Sequence, residues 1–392
     1  AVTFLSGFIV IKVVSVKIGP EGIAFVGQFQ NTTTILTMLS TAAIAGGVVK
    51  YLAQFRENEN EANKIIGTAF VLAFACAMAL SIGIMAFSYQ FSSATFKSTD
   101  YWLVYFLFGL CLTAVSLNTI FLAVLNGLKE IKKFTIVNIC SSLIALCCTL
   151  LGAFFFGLIG VLLASTITAV VIFFINISVF FKLGIKWRPT IKRFDRNTAR
   201  MFSAFSLMAA VSGFVIPAVQ IFVRNKIIHD FSVTDAGYWQ AVTKISDYYL
   251  GFITTVLAVY YMPKLSELQG KAELRKEIIQ GYKIILPTVG AIAFLIWLFR
   301  GLIIQLLFTE AFVSMKPLFL FQLVGDFFKI GSWLLGYLMI AKAMTKTFLI
   351  TEVGFSIGFV RPNLTGSAGN SFWKVPNNRS QMIRHMPMFL SR

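Results

Sequence analysis

Between residues 1 and 360 the chain is a succession of apolar runs of about 20 residues joined by short polar links, and that pattern leaves it few folds. A run of that kind crosses a bilayer as a helix, because in lipid every backbone N–H and C=O must find its partner within the segment. The runs fall at residues 1–17, 23–50, 65–89, 102–125, 134–156, 158–181, 202–227, 237–261, 284–298 and 317–341, with a last apolar piece at 348–360. Composition agrees: 57% of residues are hydrophobic and 13% charged, and the mean hydropathy is +0.81, outside the range of ordinary soluble domains. The expected class is an all-α polytopic membrane protein whose short links make neighbouring helices antiparallel. The first run lacks a charged leader and a small-residue cleavage site, so it reads as a helix and not as a removable signal.

The charge balance then needs a different explanation from the one a soluble chain would receive. There are 34 Lys and Arg against 16 Asp and Glu, a formal net charge of +18. The basic residues cluster in alternate links: Lys50, Arg56 and Lys64; Lys129, Lys132 and Lys133; the run KLGIKWRPTIKRFDRNTAR; Lys264, Lys271, Arg275, Lys276 and Lys283; Lys342 and Lys346. This set holds about twenty basic residues against about five on the other side, so by the positive-inside rule it is cytoplasmic and the chain starts inside. The excess charge is therefore topology, and no nucleic-acid partner is expected.

The pattern also repeats. Gly22 opens the second run and Gly237 the eighth, a shift of 215 (237 minus 22), and the same shift carries Trp102 to Pro317 and Ile65 to Gln280, each at or just before the start of a run. Two six-helix lobes follow, related by a pseudo-two-fold axis along the membrane normal, a known transporter plan. The expected divisions are an N-terminal lobe at 1–181, a basic cytoplasmic linker at 182–200, a C-terminal lobe at 201–360 and a polar tail at 361–392. By the same shift the first helix lacks its opening turns and the C-terminal lobe is incomplete. The stretch RPNLTGSAGNSFWKVPNNRSQMIRHMPMFLSR replaces expected apolar residues, either as a frameshifted or artificial end or as a genuine tail.

Charges inside the runs are the candidate working parts, since a charge at a helix centre costs at least ~2.5–3.5 kcal/mol on insertion scales. Lys50 and Lys342 lie at run ends, where their stems can snorkel to the interface. Lys244 and Asp247 lie deeper in the eighth run, and Asp326 and Lys329 at the same depth in the tenth. Both pairs are spaced i,i+3, so each is able to neutralise itself along one helix face as a packing device. Their matched depth instead favours a polar cavity. Their repeat partners, Thr32 and Cys111, are uncharged, which points to the C-terminal half as the proton- or ion-responsive one.

A second set is cationic. Lys12 shifts to position 227, beside Lys226 and close to Arg224, so each half offers a cation near the periplasmic side of its first helix. These suit a diphosphate, which Arg binds with a fork and Lys as a point charge, or alternatively anchor the helices to lipid headgroups. The stretch QFQNTTTILT, residues 28–37, presents Gln28 and Thr32 on a hydroxyl and amide face able to hydrogen-bond sugars, unless the hydroxyls bond only to backbone. Five cysteines lie in apolar runs without CxxC spacing and read as small hydrophobes. His229 and His385 have no metal-ligand neighbours, so no metal or cofactor is expected. No GxxxxGK[ST] run is present, which points away from ATP and toward an ion gradient.

Several of these motifs together carry a resemblance. GYWQAVTKISDYYLGFITT followed by YYMPKLSEL, then FQLVGDFFKIGSWLLGYLMIAKA, the GPEG turn and KYLAQF are similar to stretches of the O-antigen and lipid III flippases. These form the Wzx-type branch of the multidrug/oligosaccharidyl-lipid/polysaccharide exporter superfamily, and the similarity covers about residues 1–360. The resemblance implies a twelve-helix bundle in two lobes and a central cavity open alternately to each side. The implied activity is transfer of undecaprenyl-diphosphate-linked oligosaccharide to the outer leaflet of the bacterial inner membrane. It implies transport roles for Lys12, Asp247, Asp326, Lys329 and Glu352, and a polysaccharide polymerase and chain-length regulator as partners. Lys12, Gln28, Thr32, Arg224, Lys226, Lys244 and Lys329 are then candidates for the sugar diphosphate, and Asp247, Asp326 and Glu352 for ion coupling.

Two rivals are weighed against this. A multidrug exporter of the same superfamily would want a more acidic and apolar cavity than Lys12, Arg224 and Lys226 suggest. A membrane polymerase or glycosyltransferase would want a long loop carrying active groups, and no link exceeds about twenty residues.

Overall fold

The computed structural model describes residues 2–55, 57–182, 194–342, 344, 346–348, 350–351 and 354. Glu352, most of the basic linker and the tail from 361 onward lie outside the described residues. Every regular element among the described residues is helical, as the apolar runs require. In order these are α1 (Val2–Ser40), α2 (Ala45–Phe55), α3 (Glu59–Ala86), α4 (Ser88–Phe96), α5 (Trp102–Gly127), α6 (Ile131–Lys182) and α7 (Arg196–Asp230). They continue as α8 (Val233–Val256), a π-helical turn (Leu257–Tyr261), α9 (Met262–Glu267), α10 (Lys271–Leu298), α11 (Arg300–Leu307), a 3₁₀ turn (Glu310–Met315) and α12 (Leu318–Ala341). Among the described residues six helices are long and apolar enough to cross a membrane by length and composition. The outward-facing side chains are themselves apolar, with Phe154, Phe155 and Phe156 69–73% exposed, which suits lipid and not water.

Two of the continuous helices are pairs of helices joined by a tight bend. α1 bends at Gly19, whose φ of 74° only glycine adopts cheaply, and Pro20 then starts the next helix. α6 bends at Gly157, with φ 57°, between the runs expected at 134–156 and 158–181. Next to that bend the backbones at Gly152 and Gly160 nearly touch: a Cβ on Gly152 would lie 2.5 Å from the Gly160 carbonyl oxygen.

The structure also corrects several expected boundaries. The run at 23–50 is not one helix; it breaks after Ser40, where Ala42 and Ala43 both take positive φ (50° and 53°) and α2 starts at Ala45. Non-helical backbone at this depth survives because it is enclosed by protein: Ser40, Thr41, Ala43 and Ile44 are all buried, and Ser40 Oγ meets Ser116 Oγ of α5 at 2.5 Å. α3 starts six residues before its apolar run, capped by Asn58, whose side chain accepts from the Asn60 and Glu61 amides at 3.2 Å. α10 starts thirteen residues before its run, because its first turns are charged and lie outside any hydrophobic window. The short helices α4 and α11 were invisible to a 20-residue window. They nonetheless respect the repeat: adding 215 to Ser88 and Trp102 gives 303 and 317, near the starts of α11 at Arg300 and α12 at Leu318.

Compact packing divides the chain into residues Ala1–Arg224 and Asn225–Arg392. The first unit is built on two apolar cores, one around Val48, Leu52, Ala69 and Val124, the other around Phe29, Tyr105, Phe108 and Leu162. Phe202 of α7 joins the first of these, and Tyr51 donates to the Met201 carbonyl at 3.3 Å, so α7 packs with the unit that precedes it. Asp195 caps α7, accepting from the Thr198 amide and hydroxyl at 2.7 Å each, and those bonds hold its carboxyl below the usual carboxylate range. The second unit packs Leu250, Leu257, Tyr261 and Leu265 against Val289, Ile330 and Leu334.

Candidate functional site

In the first unit a charge is taken out of water completely. Arg224 of α7 is 0% exposed and donates from Nη1 to Gln28 Oε1 of α1 at 2.6 Å, with Gln28 itself 2% exposed. Burying a guanidinium costs several kcal/mol unless it is hydrogen-bonded, so α1 must supply an acceptor at this point, and an amide does so without adding a second charge. Gln28 and Arg224 were separate candidates in the sequence, and the fold makes them one unit.

The threonines after Gln28 behave differently from one another. Thr32 donates to the Gln28 carbonyl at 3.0 Å, Thr33 to the Phe29 carbonyl at 2.9 Å and Thr34 to the Gln30 carbonyl at 2.7 Å, the i−4 bonds that hydroxyls make in apolar surroundings. Thr32 also pairs with the Tyr105 hydroxyl, which meets Thr95 Oγ1 at 2.6 Å. The face beyond it opens onto a cavity of about 260 Å³ bounded by Thr33, Thr34 and Thr37 of α1, Phe108 and Val115 of α5, and Ser165 and Thr166 of α6. Lys12 lies half-buried on the first half of α1.

In the second unit Asp326 takes its hydrogen bonds from neutral donors, while Lys329 of its own helix acts on it through its charge. Asp326 is 0% exposed, and Oδ2 accepts from Ser246 Oγ at 2.5 Å and from the Tyr249 hydroxyl at 2.7 Å, while Oδ1 accepts from Gln322 Nε2 at 3.1 Å. Two of the three donors come from α8, so the carboxylate fastens α8 to α12. The Lys329 ammonium, one turn on, lies 5.1 Å from the centre of the Trp333 ring, a cation–π contact. Asp247 lies on an exposed face of α8 and interacts electrostatically with both Lys244 of its own helix and Lys329 of α12. The two charged pairs are thus coupled across helices.

Lys226 has a carboxylate partner one turn on. Its Nζ lies 3.0 Å from Asp230, whose other oxygen meets His229 Nδ1 at 2.8 Å, so this cation closes the end of α7. Ser246, Tyr249 and Gln322 were missed in the sequence. The available signal was spacing: Ser246 and Tyr249 are three apart on α8, and Gln322 sits four before Asp326 on α12. Among the described residues no group of three or more His, Cys, Asp or Glu side chains is placed to hold a metal ion.

An all-helical architecture with six described helices long and apolar enough to span a bilayer, and with a guanidinium and a carboxylate each buried in helix contacts, defines a multi-pass membrane protein. Residues 29–317 match the family described as Polysaccharide biosynthesis protein, and the chain belongs to that family. It is 32% identical over 351 residues to the Lipid III flippase of Escherichia coli (strain K12), covering 89% of this chain and 84% of that protein. The Lipid III flippase of Shigella flexneri matches to the same extent. Among solved structures it is similar to a multidrug resistance MATE family transporter of the MOP superfamily in an inward-facing conformation. That likeness has a TM-score of 0.73 at 15% identity and covers 98% of this chain and 89% of that one. At that identity the likeness speaks to the fold alone, and the expected all-α polytopic fold is borne out.

Proposed function

We propose that the chain is a flippase moving an undecaprenyl-diphosphate-linked oligosaccharide, an O-antigen repeat unit or lipid III, from the cytoplasmic to the periplasmic leaflet of the bacterial inner membrane. The observation that carries this reading is the 32% identity to a Lipid III flippase across 84% of its length. Family membership over residues 29–317 agrees with it. The chemistry also fits, since such a carrier makes and breaks no covalent bond and needs only polar shelter for the head while the isoprenoid stays in lipid. Alternating access supplies the movement. The alternate basic links support a cytoplasmic N-terminus. A polymerase and a chain-length regulator are the expected consumers of the product.

Within this reading Lys12 and Arg224 favour the diphosphate, with Gln28 holding Arg224 in place, and Lys244 and Lys329 supply cations whose availability depends on Asp247. Asp326 is the coupling carboxylate. Ionised, it accepts all three of its donors; protonated, Oδ2 becomes an O–H donor, so Ser246 or Tyr249 must turn its hydroxyl to accept and the charge-assisted contact between α8 and α12 weakens to a neutral one. An ion gradient that protonates Asp326 on one side of the membrane therefore drives the cycle. The test is complementation of a flippase-null strain, followed by flipping of Lipid III in proteoliposomes with and without a proton gradient. Failure to flip Lipid III, with transport of cationic drugs instead, would replace this reading by the multidrug one.

A further inference from the structure

The cavity between α1, α5 and α6 has a lining that none of the assigned roles uses. Its walls are the hydroxyls of Thr33, Thr34, Thr37, Ser165 and Thr166, and its apolar part is Phe108 and Val115. Among the described residues no charged side chain bounds it. A diphosphate would find no cation there, and a cationic drug no carboxylate. Hydroxyls around an apolar base match a pyranose ring, which has hydroxyls at its edge and C–H groups on its face.

We infer that this cavity is a subsite for one sugar ring of the carried glycan, an inference that rests on the reading of the cargo as a lipid-linked oligosaccharide. Its volume of about 260 Å³ is below the ~300–1,000 Å³ of sites that enclose a drug-sized ligand, so it holds a single ring and leaves the remaining sugars outside. The hydroxyl geometry sets the direction of the bonds. Thr33 and Thr34 already donate to the carbonyls of Phe29 and Gln30, so their oxygens are left as acceptors and the sugar hydroxyls must donate. Thr166 supplies the complementary function. It is 4% exposed, and its Oγ1 is buried without a hydrogen-bond partner among the described residues, so rotation about χ1 would turn an unmated hydroxyl into the cavity. The ring of Phe108, 3% exposed and packed edge-on against Phe29 at 6.0 Å, is a fixed apolar wall.

The experiment measures binding to the full chain in nanodiscs free of glycosidic detergent, so that no detergent sugar competes. Two probes are used, Lipid III from Escherichia coli and sugar-free undecaprenyl diphosphate. The variant Thr34→Val/Thr37→Val/Ser165→Ala keeps shape and removes hydroxyls. Its Kd for Lipid III should rise about tenfold, as expected for loss of two or three neutral hydrogen bonds, while its Kd for undecaprenyl diphosphate stays at the parent value. Thr34→Ser/Thr37→Ser, which restores the hydroxyls, should bind Lipid III as the parent does. An unchanged Kd for Lipid III in the triple variant, or an equal loss for both lipids, overturns the subsite and leaves the flippase reading standing. A parent that binds undecaprenyl diphosphate but gains nothing from the sugar overturns it too. A parent that binds neither lipid sinks the flippase reading, and the subsite with it.

Discussion

Replacing Asp326 by Asn tests whether the buried carboxylate couples transport to protons or only fastens two helices. Asp326 receives two hydroxyl bonds from α8, at 2.5 and 2.7 Å, and one amide bond from its own helix at 3.1 Å. Hydrogen bonds to a charged acceptor contribute about 1.5–3 kcal/mol each, against about 0.5–1.5 for neutral ones. Asn keeps one acceptor oxygen and offers an N–H₂ that Ser246 or Tyr249 accepts by turning its hydroxyl, so the contact survives in weaker, neutral form. The net loss is about 1–3 kcal/mol, which at roughly 2–4 °C per kcal/mol for a unit of this size lowers the melting temperature by about 2–12 °C. Tyr249→Phe should cost a similar amount in the parent and little in Asp326→Asn, because the charge that made its hydroxyl valuable is gone; a double-mutant cycle reads that coupling. Function separates the two roles. In proteoliposomes the Asn variant should fold and flip Lipid III at a basal rate that a proton gradient no longer raises. Gradient-stimulated flipping at the parent level, with the stability loss present, would show that Asp326 is a fastener and that the coupling resides elsewhere.

The buried cation gives a second outcome: Gln28→Ala leaves Arg224 without its 2.6 Å acceptor and should destabilise the first unit by about 1–3 kcal/mol, measured as thermal unfolding in detergent. Arg224→Lys, which cannot reproduce the fork, should weaken Lipid III binding about tenfold in the nanodisc assay. At Gly157, φ 57° means that Ala substitution should cost about 1–2 kcal/mol, read as a lower melting temperature, whereas Ala at Gly83, in a helix with open space around it, should be neutral or better. The Asp195 cap predicts a pH effect. Its carboxyl is held below the usual range in the folded chain, so its stabilising effect is complete above the unfolded value and is lost as pH falls through the folded one. Asp195→Asn should therefore flatten the acid side of the stability profile and leave the neutral side nearly unchanged, since Asn also caps; an acid limb identical to the parent's would contradict this.

What could be read without coordinates followed from the solvent. Lipid forces every long apolar run into a helix, so the spans from Trp102 and to Ala341 were legible within a residue or so, and Gly157 marked a bend because the flanking runs were each long enough to cross alone. Features that satisfy polar groups locally escaped that logic. The break after Ser40 lies in an unbroken apolar run and depends on Ser116, which is 76 residues away. α4 and α11 are too short to span anything. The same limit applied to the site: the charges were visible because they are rare in such runs, but their partners were not. Lys226 looked free until Asp230 was placed beside it, and Asp326 looked paired with Lys329 until α8 delivered two hydroxyls.

Within the proposed flippase cycle, the partners of the buried charges suit different uses. Gln28 accepts from Arg224 without adding a carboxylate of its own, so this bond lowers the cost of burial without itself cancelling the charge. Asp326 likewise takes its three hydrogen bonds from neutral donors, with Lys329 acting on it through its charge, so one proton changes both the bonds and the local balance. In the proposed cycle, neutral hydrogen-bond partners would let the first unit hold an anion and the second respond to a proton. Lys226 differs, since Asp230 lies 3.0 Å from it, and any part it takes in diphosphate binding requires it to give up that ion pair.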